Sequence, residues 1–222
     1  MTGVDVECFF DAIAGRYERS YALAADESRR RMAAVLGELP TPPARVLDLG
    51  VGTGRELTTL LDAGYLPTGI DISKRMLERC ARRARPVPLV RADLWQPLPF
   101  SKGSFDAAVA LHGTLVHSPD GGALARLACE LARVVNAGGR WVVEIPSPAW
   151  LERLEDVTGN RSDWGLRRTA ADACVYEDHV VGAAVEARVP SEEQWRTALA
   201  PNWTVRINPL GECEWQVVAT RV

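Results

Sequence analysis

The chain has 222 residues, 47% of them hydrophobic and 25% charged, with 26 Lys plus Arg against 29 Asp plus Glu and a net charge of −3. Those figures fit one globular domain with a sizeable core, and they exclude a disordered chain, a collagen-like repeat and a disulfide-held mini-fold. A dedicated nucleic-acid-binding module is excluded as well, because phosphate neutralisation calls for a basic surplus.

The elements are taken in chain order. Phe9, Ile13, Tyr17 and Tyr21 recur every fourth position, which predicts an opening helix. A second helix is predicted over 27–39 and is stopped by Pro40, Pro42 and Pro43. Residues 1–43 thus read as an N-terminal helical segment. Beyond them strands and helices alternate: strand 46–49, helix 55–63, strand 67–72, helix 73–83 with Ser73 as N-cap, strand 87–92, strand 105–111, helix 123–135 and strand 140–145. This alternation predicts a parallel sheet with helices on both faces. Ser191 and Gln194 form a capping-box pattern for a helix to about residue 200. Runs 203–207 and 215–220, separated by Asn208-Pro209-Leu210-Gly211, predict a hairpin that brings the sheet to seven strands with an antiparallel last strand. The expected whole is a single α/β domain over 1–222, a doubly wound, mostly parallel sheet. Residues 147–190 exceed what such a unit requires and predict an ordered inserted lid, with strands at 175–181 and 183–189.

The segment Val46-Leu47-Asp48-Leu49-Gly50-Val51-Gly52-Thr53-Gly54 is a strand running into a glycine loop that opens a helix. Glycines let backbone approach a ligand closely, and ligands of open α/β sheets bind at the carboxyl ends of the strands. The spacing is G-x-G-x-G, with Arg at position 55, rather than the G-x-G-x-x-G of dinucleotide folds. Asp48 precedes the loop and is placed either to touch the ligand or to hold the loop's amides. Asp71 ends the second strand, where it faces ribose hydroxyls, and Asp93 ends the third. Three acids at successive strand ends suit a ribose, an adenine amino group and a cationic amino-acid portion better than a pyrophosphate.

The stretches VLDLGVGTG, GIDIS, RADLWQPLPF, FDAAVALHGTLVHSPD and LARVVNAGGRWVVEIP follow in order from Val46 to Pro146. With these pieces the sequence resembles a class I S-adenosylmethionine-dependent methyltransferase, in the small-molecule branch of the ubiquinone and menaquinone methyltransferases. The resemblance implies a Rossmann-like methyltransferase fold, S-adenosylmethionine as cofactor and S-adenosylhomocysteine as product. It implies that Gly50, Gly52 and Gly54 approach the methionyl and ribose part, that Asp71 binds the ribose hydroxyls and that Asp93 binds the adenine amino group. Leu94 on one side and Ile72 and Met76 on the other would enclose the adenine, with Leu111 under the methionine portion. The opening segment Phe10-Asp11-Ala12-Ile13-Ala14-Gly15-Arg16-Tyr17 resembles the family's first helix, whose tyrosine, here Tyr17, packs over the cofactor.

Methyl transfer from a sulfonium is an in-line displacement for which a protein aligns donor and acceptor and excludes water. A hydroxyl or carbon acceptor must also lose a proton, work suited to an imidazole. His112 and His117 follow the fourth strand and are the candidate catalytic side chains. Trp150, Trp164 and Trp195, in or beside the lid, are candidates to stack on a flat acceptor. The expected partner is a small molecule on O, N or C, with neither nucleic acid nor membrane involved, and the chain acting as monomer or homodimer. An acceptor on protein or nucleic acid, a non-catalytic S-adenosylmethionine binder and a nicotinamide-dependent enzyme remain open. Against the DNA amino-methylating version, Leu111-His112-Gly113-Thr114 stands where an Asn/Asp-Pro-Pro-aromatic motif belongs. Five scattered cysteines without a C-x-x-C pair and three histidines predict no metal site. The lack of a leader-like start and of an 18-residue apolar run predicts a cytoplasmic location.

Overall fold

Alternate side chains of β1 (Arg45–Leu49) enter two different cores. Val46 joins Val35, Leu60 and Val109 on one face of the sheet, while Leu47 and Leu49 join Leu127, Leu131 and Trp141 on the other. Burial on both faces is why the strands read as near-continuous apolar runs. The computed structural model describes residues 5–21, 24–83, 86–154 and 163–222.

Seven strands pair in the order β3-β2-β1-β4-β5-β10-β9, with β2 (Leu66–Asp71), β3 (Leu89–Arg91), β4 (Phe105–Ala110), β5 (Val135–Pro146), β9 (Trp203–Pro209) and β10 (Glu214–Arg221). Strands β1 to β5 pair in parallel, and β10 is antiparallel to both of its neighbours. The chain therefore builds outward from β1 to β3, then returns to lay β4 on the other side of β1. That reversal is the topological switch point, where a crevice opens at the strands' carboxyl ends.

Of the helices between them, α3 (Ala25–Glu38) and α4 (Leu57–Asp62) cover one face through Met32, Val35 and Leu60. On the other face lie α6 (Ala123–Val134) and α8 (Glu192–Leu199), the latter opened by the capping box of Ser191 and Gln194. Helix α5 (Lys74–Arg83) follows β2, and its Met76 N–H donates to the Ser73 hydroxyl, 3.1 Å, as the N-cap reading predicts. The expected single opening helix is two: α1 (Val6–Ile13) and α2 (Tyr17–Ser20), broken at Ala14-Gly15-Arg16. Glycine is a weak helix former, and at this break Arg16 turns away to pair with Asp178 at 2.5 Å.

After β5 and a short α7 (Pro148–Glu152), the inserted segment forms a separate three-stranded antiparallel sheet, β6 (Trp164–Arg168), β7 (Ala173–Asp178) and β8 (Ala183–Arg188). Two of these strands match the predicted pair, shortened by a turn at 179–182. The third, β6, was not predicted, since Gly165 and two exposed arginines mask an edge strand. Part of the predicted lid, 155–162, lies outside the described residues. Among the described residues no helix is long and apolar enough to cross a membrane, and no group of three or more His, Cys, Asp or Glu could hold a metal ion.

Candidate active site

At the switch point lies a cavity of about 500 Å³, within the usual size of a small-molecule site. Its walls come from the loops that leave β1, β2, β3 and β4, roofed by α1, α2 and β8.

Four amides of the glycine loop have protein partners. Gly50 and Val51 donate to the Ile70 carbonyl at 2.8 and 3.0 Å, and Gly54 donates to the Val51 carbonyl at 2.9 Å. Gly52 donates to Asp71 Oδ2 at 2.8 Å, and Ser73 donates to Asp71 Oδ1 at 2.8 Å. Holding the loop is thus the work of Asp71 and the β2 backbone. Among these bonds Asp48 has no share. Asp48 lines the cavity instead, and burial, with Glu56 and Asp71 nearby, pushes its carboxyl well above the usual range. Asp71 lies only 8% exposed, and burial lifts it to about 6 against the pull of the amides it accepts.

Gly50 and Gly52 line the cavity and Gly54 does not. A side chain on Gly54, which has φ +73°, would meet the Cys80 sulfur at 2.5 Å, so this glycine lets α5 pack against the loop. Its sequence position is that of a ligand-contacting residue; its packing is that of a helix contact.

Every other predicted cofactor-side residue lines the cavity: Tyr17, Asp71, Ile72, Met76, Asp93, Leu94 and Leu111. Asp93 also accepts the Trp95 N–H at 2.9 Å, a local turn that fixes its direction. Tyr17 is a cavity wall because the helix breaks before it, and burial pushes its phenol up to about 12.

His112 and His117 both reach the cavity. His112 has φ +53°, rare for a residue with a side chain, and its Nε2 lies 2.6 Å from Glu56 Oε1. Glu56 is 7% exposed and comes from the start of α4, so the pair joins the exits of β1 and β4. His117 Nδ1 donates to the Glu186 carbonyl of β8 at 3.0 Å, and burial holds its ring below the usual histidine range. That bond ties His117 to the three-stranded sheet.

Sequence reasoning missed Glu56, and it missed Arg55. The Arg55 guanidinium sits 5.6 Å over the Tyr17 ring and 3.8 Å from Glu18, with Nη2 buried and without a hydrogen-bond partner. The one available signal was position: both residues open the helix that leaves the glycine loop, where side chains face the crevice. Of the three tryptophans, Trp195 is fully buried against Trp141 in the core and cannot meet a ligand. Trp150 packs against that core, whereas Trp164 lines a second chamber of about 320 Å³. This chamber shares Tyr17, Arg55, His112 and Gly113 with the first.

Comparison with known proteins agrees with this geometry. A family described as a methyltransferase domain matches residues 46–139. A demethylmenaquinone methyltransferase of Beutenbergia cavernae is 38% identical over 66% of this chain and 60% of its own length. A phosphatidylethanolamine N-methyltransferase of Cereibacter sphaeroides is 32% identical over 73% of this chain and 86% of its own. The chain thus spans about three fifths of the length of the demethylmenaquinone methyltransferases it matches. Among solved structures, an S-adenosylmethionine-dependent methyltransferase from Clostridium acetobutylicum superposes with a TM-score of 0.72 at 16% identity, over 96% of this chain and 98% of that one.

Proposed function

Because the chain belongs to the class I S-adenosylmethionine-dependent methyltransferases, we propose that it moves a methyl group from S-adenosylmethionine to a small-molecule acceptor held in the second chamber. The observation that carries this reading is the pair of cavities meeting at Tyr17, Arg55, His112 and Gly113, one formed by the glycine loop and strand-end acids, the other beyond His112. The residues fit the cofactor. Asp71 and Asp93 offer acceptors for ribose hydroxyls and an adenine amine, and Ile72, Met76 and Leu94 offer apolar walls. Arg55, with its unspent buried donor, suits the amino-acid carboxylate.

When bound, S-adenosylmethionine supplies a methyl carbon on a positively charged sulfur, so the acceptor's lone pair forms the new bond while the old bonding pair stays on sulfur, and only the acceptor's proton is left for the chain to handle. His112 is placed to take it. With Nε2–H donating to the Glu56 carboxylate, the ring's other nitrogen carries the lone pair, and Glu56 fixes that tautomer and stabilises the imidazolium that forms. Tyr17 and the lid sheet exclude water from the junction. The lid over 147–190, tied down by His117, selects the acceptor.

Calorimetric titration with S-adenosylmethionine, S-adenosylhomocysteine and NAD tests the first half of this reading. Saturable binding of both sulfur nucleotides and none of NAD is expected. Binding of NAD alone would overturn it.

A further inference from the structure

The second chamber is walled by three aromatic rings, Tyr17 and Tyr21 of the α2 region and Trp164 of β6. Tyr17 and Tyr21 lie 4.9 Å apart at 40°, and Tyr21 shares a hydroxyl hydrogen bond with Tyr176, on which Trp164 stacks at 5.6 Å and 19°. The rings are therefore fixed in place before anything binds. Facing them are two carboxylates at strand ends, Glu144 and Glu214, and two cations, Arg31 of α3 and the Arg55 that the chamber shares with the first cavity. Arg31 is already committed, at 2.5 Å to Glu214 and 2.9 Å to Glu27. Glu144 is left over. It is 3% exposed, and its Oε1 is buried with no hydrogen-bond partner. Gln216 stands directly opposite on β10, but its amide nitrogen is equally unpartnered, so the two do not bond each other.

A buried carboxylate oxygen without a donor is costly unless a ligand completes it. Aromatic faces attract cations and have no such preference for neutral groups of the same shape. Taking the proposed methyltransferase reading as its premise, we infer that this chamber is the acceptor site and that it takes an amine, held as an ammonium between Tyr17, Tyr21 and Trp164 with its positive charge beside Glu144. The ammonium gives up a proton to His112, so that the nitrogen lone pair forms the bond to the methyl carbon as the carbon–sulfur bond breaks. A neutral quinol could offer Glu144 a hydroxyl but brings no positive charge to the carboxylate or to the rings. The cage also suits the product side, since each methyl added to nitrogen yields a softer, less hydrated cation that aromatic rings hold well.

The probe is choline, set against 3,3-dimethylbutan-1-ol, the neutral compound of the same shape. Each is titrated into the protein saturated with S-adenosylhomocysteine, following Trp fluorescence and heat. Choline is expected to bind saturably, with the neutral analogue weaker by about tenfold or more. Glu144→Gln and Trp164→Leu should each weaken choline by a similar factor and leave the affinity for S-adenosylhomocysteine unchanged. Equal binding of the two probes by the wild-type protein, or no saturable binding of either, overturns the inference without any variant having to fold. A folded Glu144→Gln protein that binds choline as tightly as wild type also overturns it, and reduces Glu144 to a cross-strand neighbour of Gln216. Failure of the protein to bind S-adenosylhomocysteine at all is a different result, and it sinks the methyltransferase reading itself.

Discussion

Asp71 holds the glycine loop with a carboxylate that also lines the cavity. Its two oxygens accept the Gly52 and Ser73 amides. Burial raises its pKa to about 6, so without a ligand it is largely protonated below that pH. Ribose hydroxyls donate to the ionised form, so their binding favours that form. Affinity for S-adenosylhomocysteine should therefore be full above pH 6, fall as the pH drops through 6, and be accompanied near pH 6 by proton release. Calorimetry in buffers of different ionisation enthalpy measures that release. In Asp71→Asn the contribution of this residue should vanish and affinity drop by about 1–3 kcal/mol, the cost of unpaired buried partners. Proton release identical to wild type in the variant would assign the titration to another group. Asp71 was legible in the sequence because a strand end and an acid define it locally. The Glu56–His112 pair was not, since it joins residues 56 positions apart and depends on a left-handed backbone at His112. At Gly54 the structure adds a packing requirement from Cys80 of α5, which the sequence does not display, because a glycine required by a neighbouring helix has the same letter as one that faces a cavity.

At the scale of elements, the three-stranded sheet of β6, β7 and β8 is held by few but specific ties. Asp178 at the end of β7 is 1% exposed and accepts the Val180 and Val181 amides through Oδ1, the oxygen that also meets Arg16. Phe9 packs edge-on against Tyr176, and Val185 joins the Phe9, Ile13 and Met76 cluster. The broken N-terminal helix thus anchors the small sheet, which explains why the regular spacing of Phe9, Ile13, Tyr17 and Tyr21 did not produce one helix. Tertiary partners on β7 claim Arg16 and Tyr21, and the periodicity alone carries no record of them. The same holds for β6, whose strand character is supplied by pairing with β7 rather than by its own alternation. Removing the cation by Arg16→Gln leaves a buried carboxylate without its counter-charge, which costs about 3–5 kcal/mol. That loss should appear as local opening: hydrogen exchange in 173–188 should quicken strongly, while 46–49 and 141–145 keep their protection. Uniformly faster exchange over both regions would show that Arg16 stabilises the whole fold and has no special hold on the small sheet.

For the molecule as a whole, the decisive feature is where the last strand goes. The parallel strands were legible, because apolar runs buried on both faces and alternating helices admit few architectures, whereas their order was not read from the sequence. The chain does not finish at an edge. It places β9 outermost and then inserts β10 between β9 and β5. Along its length β10 pairs with β5 from Glu214 to Thr220 and with β9 from Trp215 to Arg221. Without it, β5 and β9 have nothing to bond to on those sides, and Val217 and Ala219 leave a void in the core that Trp141, Trp195 and Trp203 share. The strand at the end of the sequence is therefore a condition for the sheet's far half, and long-range pairing of this kind comes late in folding. A chain ended at Cys213 should show no cooperative thermal transition by circular dichroism, although it retains every residue assigned to the cofactor cavity. A cooperative transition in the truncated chain, with S-adenosylhomocysteine still bound, would mean that β1 to β5 fold as an independent unit. The cofactor half would then owe nothing to the closing hairpin.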